Sequence, residues 1–317
     1  MPIVRSTFKP AWWLRSAHAQ TIWSSFVRRK PRLNIDWQRV ELPDGDFIDL
    51  AWSGPKQGKT VLLLHGLEGS VSSVYASGLM VELNRRGYRA CLMHFRGCSD
   101  QPNRLPLWYH SGQSEDPQHI LKFLRDQMDI DVYAAVGFSL GGNVLLKWLG
   151  EQGAAMPIQR AAVMSVPFRL AHAAQRMDTG FSRLYQWHLV SSMRHKYKNK
   201  FTRIASPLDV DISTLDTFWQ FDDQITAPLH GFKDVHDYYA RASSRPFIPR
   251  IRVPTLILHS SDDPFMYSHT PPRSDELPDN VCLELTEHGG HVGFISGRVP
   301  GLAHYWGERR LLEWIDN

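Results

Sequence analysis

Ser139 stands in Gly137-Phe-Ser-Leu-Gly141, between an apolar run from Val132 to Phe138 and a helix-forming run from Leu140 to Leu149. A serine hydroxyl is a poor nucleophile at neutral pH, so it needs a base within hydrogen-bond reach and a third group to orient that base. A sharp strand-to-helix turn presents such a serine at its tip. Glycines two positions either side remove the Cβ atoms that would collide across the turn. The pentapeptide alone is a weak signal, because a serine between glycines is usually part of a loop; the strand before it and the helix after it are the context that the chemistry requires.

The candidate acid and base lie downstream. The strand-like run Thr255 to His259 is followed by Ser260-Ser-Asp-Asp-Pro-Phe265, and the run Val281 to Leu285 by Thr286-Glu-His-Gly-Gly-His-Val-Gly-Phe294. Both loops follow carboxyl ends of strands, where ligands gather in open α/β sheets. In the order serine, acid, histidine, this brings Ser139, Asp263 and His291 together across 152 residues. Asp262 competes with Asp263, which is favoured because it directly precedes the proline. His291 is preferred to His288, since two glycines before it let the backbone approach the serine, whereas His288 sits nearly on the strand. One histidine among fifteen is ordinarily a surface or core residue, and only the joint order with Ser139 singles it out. Acyl transfer also needs donors for the oxyanion: the N–H after the nucleophile, Leu140, and one from the first strand–helix loop, Leu67 of His65-Gly-Leu67.

The elements that must position these groups follow from periodicity. Alternating runs Trp37 to Leu42 and Phe47 to Trp52 flank Pro43-Asp-Gly-Asp46 and form an antiparallel hairpin. Thr60 to His65 is a continuous apolar run, as expected of a strand buried on both faces, and a helix from Val74 to Arg86 closes at Gly87. Strands at 88–95, 132–138 and 160–166 continue the alternation, with a helix near Glu115 to Met128. Residues 168–250 break it with helical, basic, aromatic-rich sequence, and it resumes at 253–259 and 281–285 before an amphipathic helix at about 301–315. The expected architecture is an α/β fold with a mainly parallel, eight-stranded sheet and helices on both faces. Residues 1–168 and 251–317 form the core, 1–36 an N-terminal arm, and 169–250 a helical cap.

Composition narrows the function classes. The 317 residues are 43% apolar, enough for one extended core, and three scattered cysteines, Cys91, Cys98 and Cys282, offer neither a disulfide framework nor a zinc site. No run approaches the roughly 18 apolar residues of a membrane span, and the N-terminus lacks a secretory core, so a cytoplasmic location is expected. The net charge of +4 is uneven: residues 1–40 and 169–205 each carry eight Lys/Arg against one acid. The ordinary reading is a solvated face; the functional one is attraction of an anionic substrate or peripheral contact with an anionic membrane surface. No motif supports nucleic acid, and neither metal nor cofactor is called for. The arm carries Trp12, Trp13, Ile22, Trp23 and Phe26, expected to pack on the protein's own body more than on lipid.

On His65-Gly-Leu-Glu-Gly-Ser70, Phe95-Arg-Gly-Cys-Ser99, Tyr109-His-Ser-Gly112, Gly137-Phe-Ser-Leu-Gly-Gly142, Asp262-Asp-Pro-Phe265 and His288-Gly-Gly-His-Val-Gly-Phe294, the chain resembles the α/β-hydrolase superfamily and, within it, the YheT-like bacterial hydrolases. The resemblance implies carboxylic-ester hydrolysis by Ser139, one of Asp262 and Asp263, and His291. Eukaryotic relatives of that group act on medium-chain acyl esters, and the resemblance supplies no bacterial substrate. A serine esterase acting on a small or medium acyl ester is therefore expected, with the cap forming the acyl pocket and its basic run Arg194 to Arg203 facing an anionic or interfacial substrate. An acyltransferase with the same triad and a non-catalytic binding protein on this fold are the alternatives.

Overall fold

The computed structural model describes residues 2–317. Nine strands make one sheet: β1 (Ile3–Arg5), β2 (Asp36–Glu41), β3 (Phe47–Ser53), β4 (Thr60–Leu64), β5 (Arg89–Met93), β6 (Val132–Phe138), β7 (Arg160–Met164), β8 (Thr255–Ser260) and β9 (Val281–Thr286). Their order is β1-β9-β8-β7-β6-β4-β5-β3-β2, parallel except where β3 meets β2 and β5. The sequence led us to expect eight strands. The ninth is β1, which pairs Ile3–Arg5 with Leu283–Leu285 at the sheet edge. Three residues are too few to show a period, so it was invisible as a pattern.

The helices are α1 (Ala17–Ile22), α2 (Val74–Arg85), α3 (Glu115–Met128), α4 (Leu140–Gln152), α5 (Leu170–Met177), α6 (Ser182–Phe201), α7 (Phe218–Phe221), α8 (Ala227–Leu229), α9 (Val235–Ala242) and α10 (Trp306–Asp316). Alternation along the buried strands divides the core. Leu62 and Leu64 of β4 point to α3 and α4, where Ile120, Leu124, Val144 and Trp148 wait. Val61 and Leu63 point the other way, to Leu79 and Leu83 of α2 and Leu311 and Leu312 of α10. A period of two on a sheet covered on both faces gives an unbroken apolar run, which is why β4 reads as it does.

From β4 the chain steps outward to β5, then crosses back through α3 to β6 on the other side of β4. The two directions part between β4 and β6, and a crevice opens at their carboxyl ends. Residues 165–254 return over that crevice, carrying α5 to α9. Two small apolar clusters hold this segment together: one joins Met193 and Tyr197 to Leu215 and Phe221, the other joins Leu170 and Ala174 to Tyr238 and Tyr239.

The arm lies on the body. Gln20 is fully buried: its amide nitrogen donates to the carbonyls of Leu14 and Ile295, and its amide oxygen accepts from the Ile295 N–H. Trp13 and Trp23 meet edge to face, while Trp12, Phe26 and Val27 stay exposed. Arg28 pairs with the buried carboxylate of Glu308. The last helix begins at Trp306, later than its periodicity implies, because Ile295–Ser296 and His304–Tyr305 first form a two-stranded ribbon. Among the described residues no helix is long and apolar enough to cross a membrane.

Candidate active site

Ser139, between the end of β6 and the start of α4, has φ 49° and ψ −118°, a backbone conformation rare for any residue with a side chain. The surroundings hold it there: its N–H donates to Met164 O at 2.9 Å, and its carbonyl accepts from Asn143 N at 3.0 Å. The flanking glycines are sterically required. A Cβ on Gly137 would lie 2.6 Å from Gly141 O, and one on Gly141 would lie 2.4 Å from the carbonyl oxygens of both Leu64 and His65. The first turn of α4 therefore rests directly on the end of β4, and the serine is pushed up into the crevice.

Three side chains meet there. Ser139 Oγ lies 2.9 Å from His291 Nε2, and His291 Nδ1 lies 2.9 Å from Asp263 Oδ2. Asp263 is 2% exposed, and its other oxygen accepts from the Phe265 N–H at 2.9 Å. The Phe265 ring stacks on the imidazole with centroids 4.0 Å apart and planes 6° from parallel. Between these contacts the ring has one orientation, with Nε2 aimed at the serine. Asp262 is turned elsewhere. It accepts from the Gly290 N–H at 2.9 Å and from Ser260 Oγ, and lies 3.3 Å from His288 Nδ1, so it ties the acid loop to the histidine loop. His288 is half-exposed and away from the serine.

Of the two glycines before His291, Gly290 makes room for the arm. A Cβ on Gly290 would lie 2.4 Å from Ala17 O and 2.7 Å from Thr21 Oγ1, both in α1. Gly290 thus admits the N-terminal arm, and Thr21 Oγ1 accepts the His291 backbone N–H at 2.9 Å. Thr21 escaped the sequence reading, because nothing local in an arm reveals that it reaches a loop 270 residues away.

The other wall is the loop after β4. His65 is fully buried, and its Nε2 accepts the Phe95 N–H at 3.1 Å, so the proton is on Nδ1, which donates to Gly66 O at 2.7 Å. Burial, reinforced by nearby His94, lowers its pKa to about 3, and the ring stays neutral as a fixed brace. Gly66 N–H donates to Tyr75 OH at 2.9 Å, and Glu68 N–H to Tyr109 OH at 2.9 Å. Between them, among the described residues, Leu67 N–H has no acceptor, nor does Leu140 N–H at the start of α4. Both residues line the crevice beside Ser139.

Two cavities open from this point, and Ser139, His291, Leu67 and Phe265 border both. One is narrow, about 120 Å³, and runs under the segment that bears α5 to α9, between Leu170, Ala174, Met177, Met193, Phe218 and Tyr239. The other is a wide cleft of about 580 Å³ between α1 and α6, rimmed by the exposed side chains of Phe26, Leu184 and Trp187. The basic run of α6 does not face solvent as a block. Lys196 lies 3.2 Å from a Glu68 carboxylate oxygen, and Lys200 is buried, donating to Asn103 Oδ1 at 2.8 Å and to Leu107 O at 2.5 Å. Burial lowers the Lys200 pKa to about 8. These two cations hold the segment to the loops beneath it, which a count of charges along the chain cannot distinguish from a solvated face.

Known proteins of the same build give this arrangement its family. YheT of Escherichia coli (strain K12), named as a candidate esterase, is 42% identical over 315 residues, covering 97% of this chain and 92% of its own. Human phospholipase ABHD3 is 27% identical over 96% of this chain and 77% of its own. The monoacylglycerol lipase of Saccharomyces cerevisiae is 30% identical over 75% of this chain and 55% of its own. Among solved structures, the Pyrococcus furiosus esterase Pf2001 superposes with a TM-score of 0.56 at 16% identity, over 91% of this chain and 98% of that one, which is a likeness of fold. Residues 59–298 match the model of the alpha/beta hydrolase fold, and with that match the chain belongs to the α/β-hydrolase family.

Proposed function

We propose that the protein is a serine hydrolase that cleaves carboxylic esters of short or medium acyl chain through an acyl-enzyme intermediate. The observation that carries this reading is the unbroken line of hydrogen bonds from Asp263 through His291 to Ser139. His291 Nε2 takes the hydroxyl proton as Ser139 Oγ attacks the ester carbonyl, and Asp263 stabilises the imidazolium without itself being protonated. The oxyanion of the tetrahedral intermediate is received by the Leu67 and Leu140 N–H groups. Collapse expels the alcohol, which takes the proton from His291. Water, deprotonated by the same nitrogen, then attacks the acyl-enzyme and releases the acid.

The two cavities divide the substrate. The narrow apolar one fits the acyl chain, and the wide cleft fits the alcohol. That cleft is open enough to admit water, which favours hydrolysis over transfer to a second alcohol. Relatives named as a phospholipase and a monoacylglycerol lipase agree with a bulky alcohol part. The test is a fluorophosphonate label with a panel of esters varied separately in acyl and alcohol size. Ser139→Ala should abolish labelling and lower turnover by several orders of magnitude while the fold is kept. Undiminished labelling of the folded variant would refute the assignment. In the wild type, rates should fall off steeply with acyl length and only gently with alcohol size.

A further inference from the structure

The loop that carries Leu67 is clamped at the very next residue. Glu68 has φ 56°, a left-handed conformation that is strained for a residue with a Cβ and persists only where its surroundings enforce it. Its backbone N–H donates to Tyr109 OH at 2.9 Å, and that hydroxyl donates in turn to Glu68 Oε1 at 3.0 Å, closing a small ring of hydrogen bonds. The second carboxylate oxygen accepts from Ser192 Oγ at 2.8 Å and lies 3.2 Å from Lys196 Nζ, both on α6. Tyr109 is buried and stacked on Phe95, 5.4 Å between centroids and 14° from parallel, so its hydroxyl is a fixed post. Cys98, 3.7 Å from Lys196, remains a thiol because burial pushes its pKa up to about 12, leaving Glu68 as the charge partner.

We infer that Tyr109, Glu68, Ser192 and Lys196 are positioning residues that set the Leu67 N–H as an oxyanion donor, and that they make its placement depend on the seating of α6. The inference rests on the reading of Ser139 and Leu67 given above. No member of the group touches the reacting atoms. The Leu67 N–H shares its peptide plane with the Gly66 carbonyl, which accepts from His65 Nδ1 and from the Gly69 N–H; Glu68 stands between Leu67 and Gly69, so fixing Glu68 holds the turn that sets the donor. The same α6 lines both cavities through Leu189. A substrate that fits beneath α6 leaves the clamp closed, whereas one that lifts the helix pulls Ser192 and Lys196 from Glu68 and lets the strained backbone relax. The acyl pocket thereby acts on the rate of chemistry as well as on binding.

Loss of an oxyanion donor outright costs about 10²- to 10³-fold in kcat, and a donor left present but loose should cost less. Tyr109→Phe keeps the ring and its stacking but removes both hydrogen bonds; Lys196→Met keeps the stem and removes the charge. Each should lower kcat by about 10- to 100-fold with KM changed less than about threefold, and slow fluorophosphonate labelling by the same factor. Lys196→Arg should recover most of the loss. Because both changes act through Glu68, the double variant should lose much less than the product of the two. Wild-type kcat in both variants, or a loss confined to KM, would overturn the clamp and leave α6 as a simple pocket wall. If Tyr109→Phe does not fold, Ser192→Ala with Lys196→Met asks the same question. Ser139→Ala, run in parallel, separates the outcomes: turnover surviving in it refutes the reading of the site, while its loss beside unaffected clamp variants refutes the clamp alone.

Discussion

Asp262 and Asp263 are neighbours with the same side chain in the same loop, yet their surroundings assign them different work. Asp263 is buried with one oxygen on His291 and the other on the Phe265 N–H, and Asp262 is spent on the Gly290 N–H and Ser260. If Asp263 orients the imidazole, Asp263→Asn should lower kcat by about 10⁴-fold, because an amide at that position favours the wrong tautomer. Asp262→Asn should cost far less in kcat and show instead as a lower thermal midpoint. Steady-state kinetics and melting curves of the two variants decide it, and the reverse ranking would give the role to Asp262. The sequence made Ser139 and His291 legible because their order and their glycines are local. It favoured Asp263 through its place in the loop, directly before the proline, since which of two adjacent carboxylates faces a histidine is fixed by the loop's path. Glu68 and Tyr109 lie in recognisable motifs that give no sign of a task, because their contacts are with each other and, through Glu68, with α6.

At the scale of elements, the elbow depends on how closely α4 approaches β4. The approach is set by atoms and not by pattern, which makes it testable by one methyl group. Gly141→Ala places a Cβ 2.4 Å from two backbone carbonyl oxygens, neither of which is a flexible side-chain end, so α4 must move. Overpacking of this kind costs roughly 1–3 kcal/mol, and here the shift also moves Ser139 away from His291. The expected result is a lower urea midpoint together with a larger fractional loss of kcat. Gly45→Ala is the control, since a Cβ there meets nothing within 4 Å and only the strain of its φ of 86° is added. An equal effect on kcat from both would mean that the elbow has no special sensitivity. Strands β2 to β9 and helices α2 to α4 were readable because an alternation, an unbroken apolar run or a helical stretch extends over enough residues to show. The edge strand β1 and the late start of α10 were not, since pairing with a distant partner decides both.

For the whole molecule, burial keeps several histidines neutral in the folded state well below the usual imidazole range. Desolvation lowers the pKa of His65 to about 3, and of His230 and His259 to about 4 each. In the unfolded chain each titrates near 6.5. The unfolded state thus binds more protons between pH 6.5 and 4, and stability must fall as pH is lowered through that window, by up to about 1.4 kcal/mol per pH unit for each such group. Urea midpoints measured from pH 7 to pH 5 should decline steadily, and His230→Gln should flatten the decline; a level profile would contradict the burial. The arm is where sequence reading fell furthest short, because Thr21 and Gln20 act on a loop whose position only the finished sheet defines. That contact orders events in the life of the chain. A nascent polypeptide that has emerged through residue 139 already displays the serine, but it lacks both the histidine and the loop on which α1 must settle. On the proposed mechanism, ester cleavage therefore waits for α1 to meet the His291 loop, segments 270 residues apart in the chain.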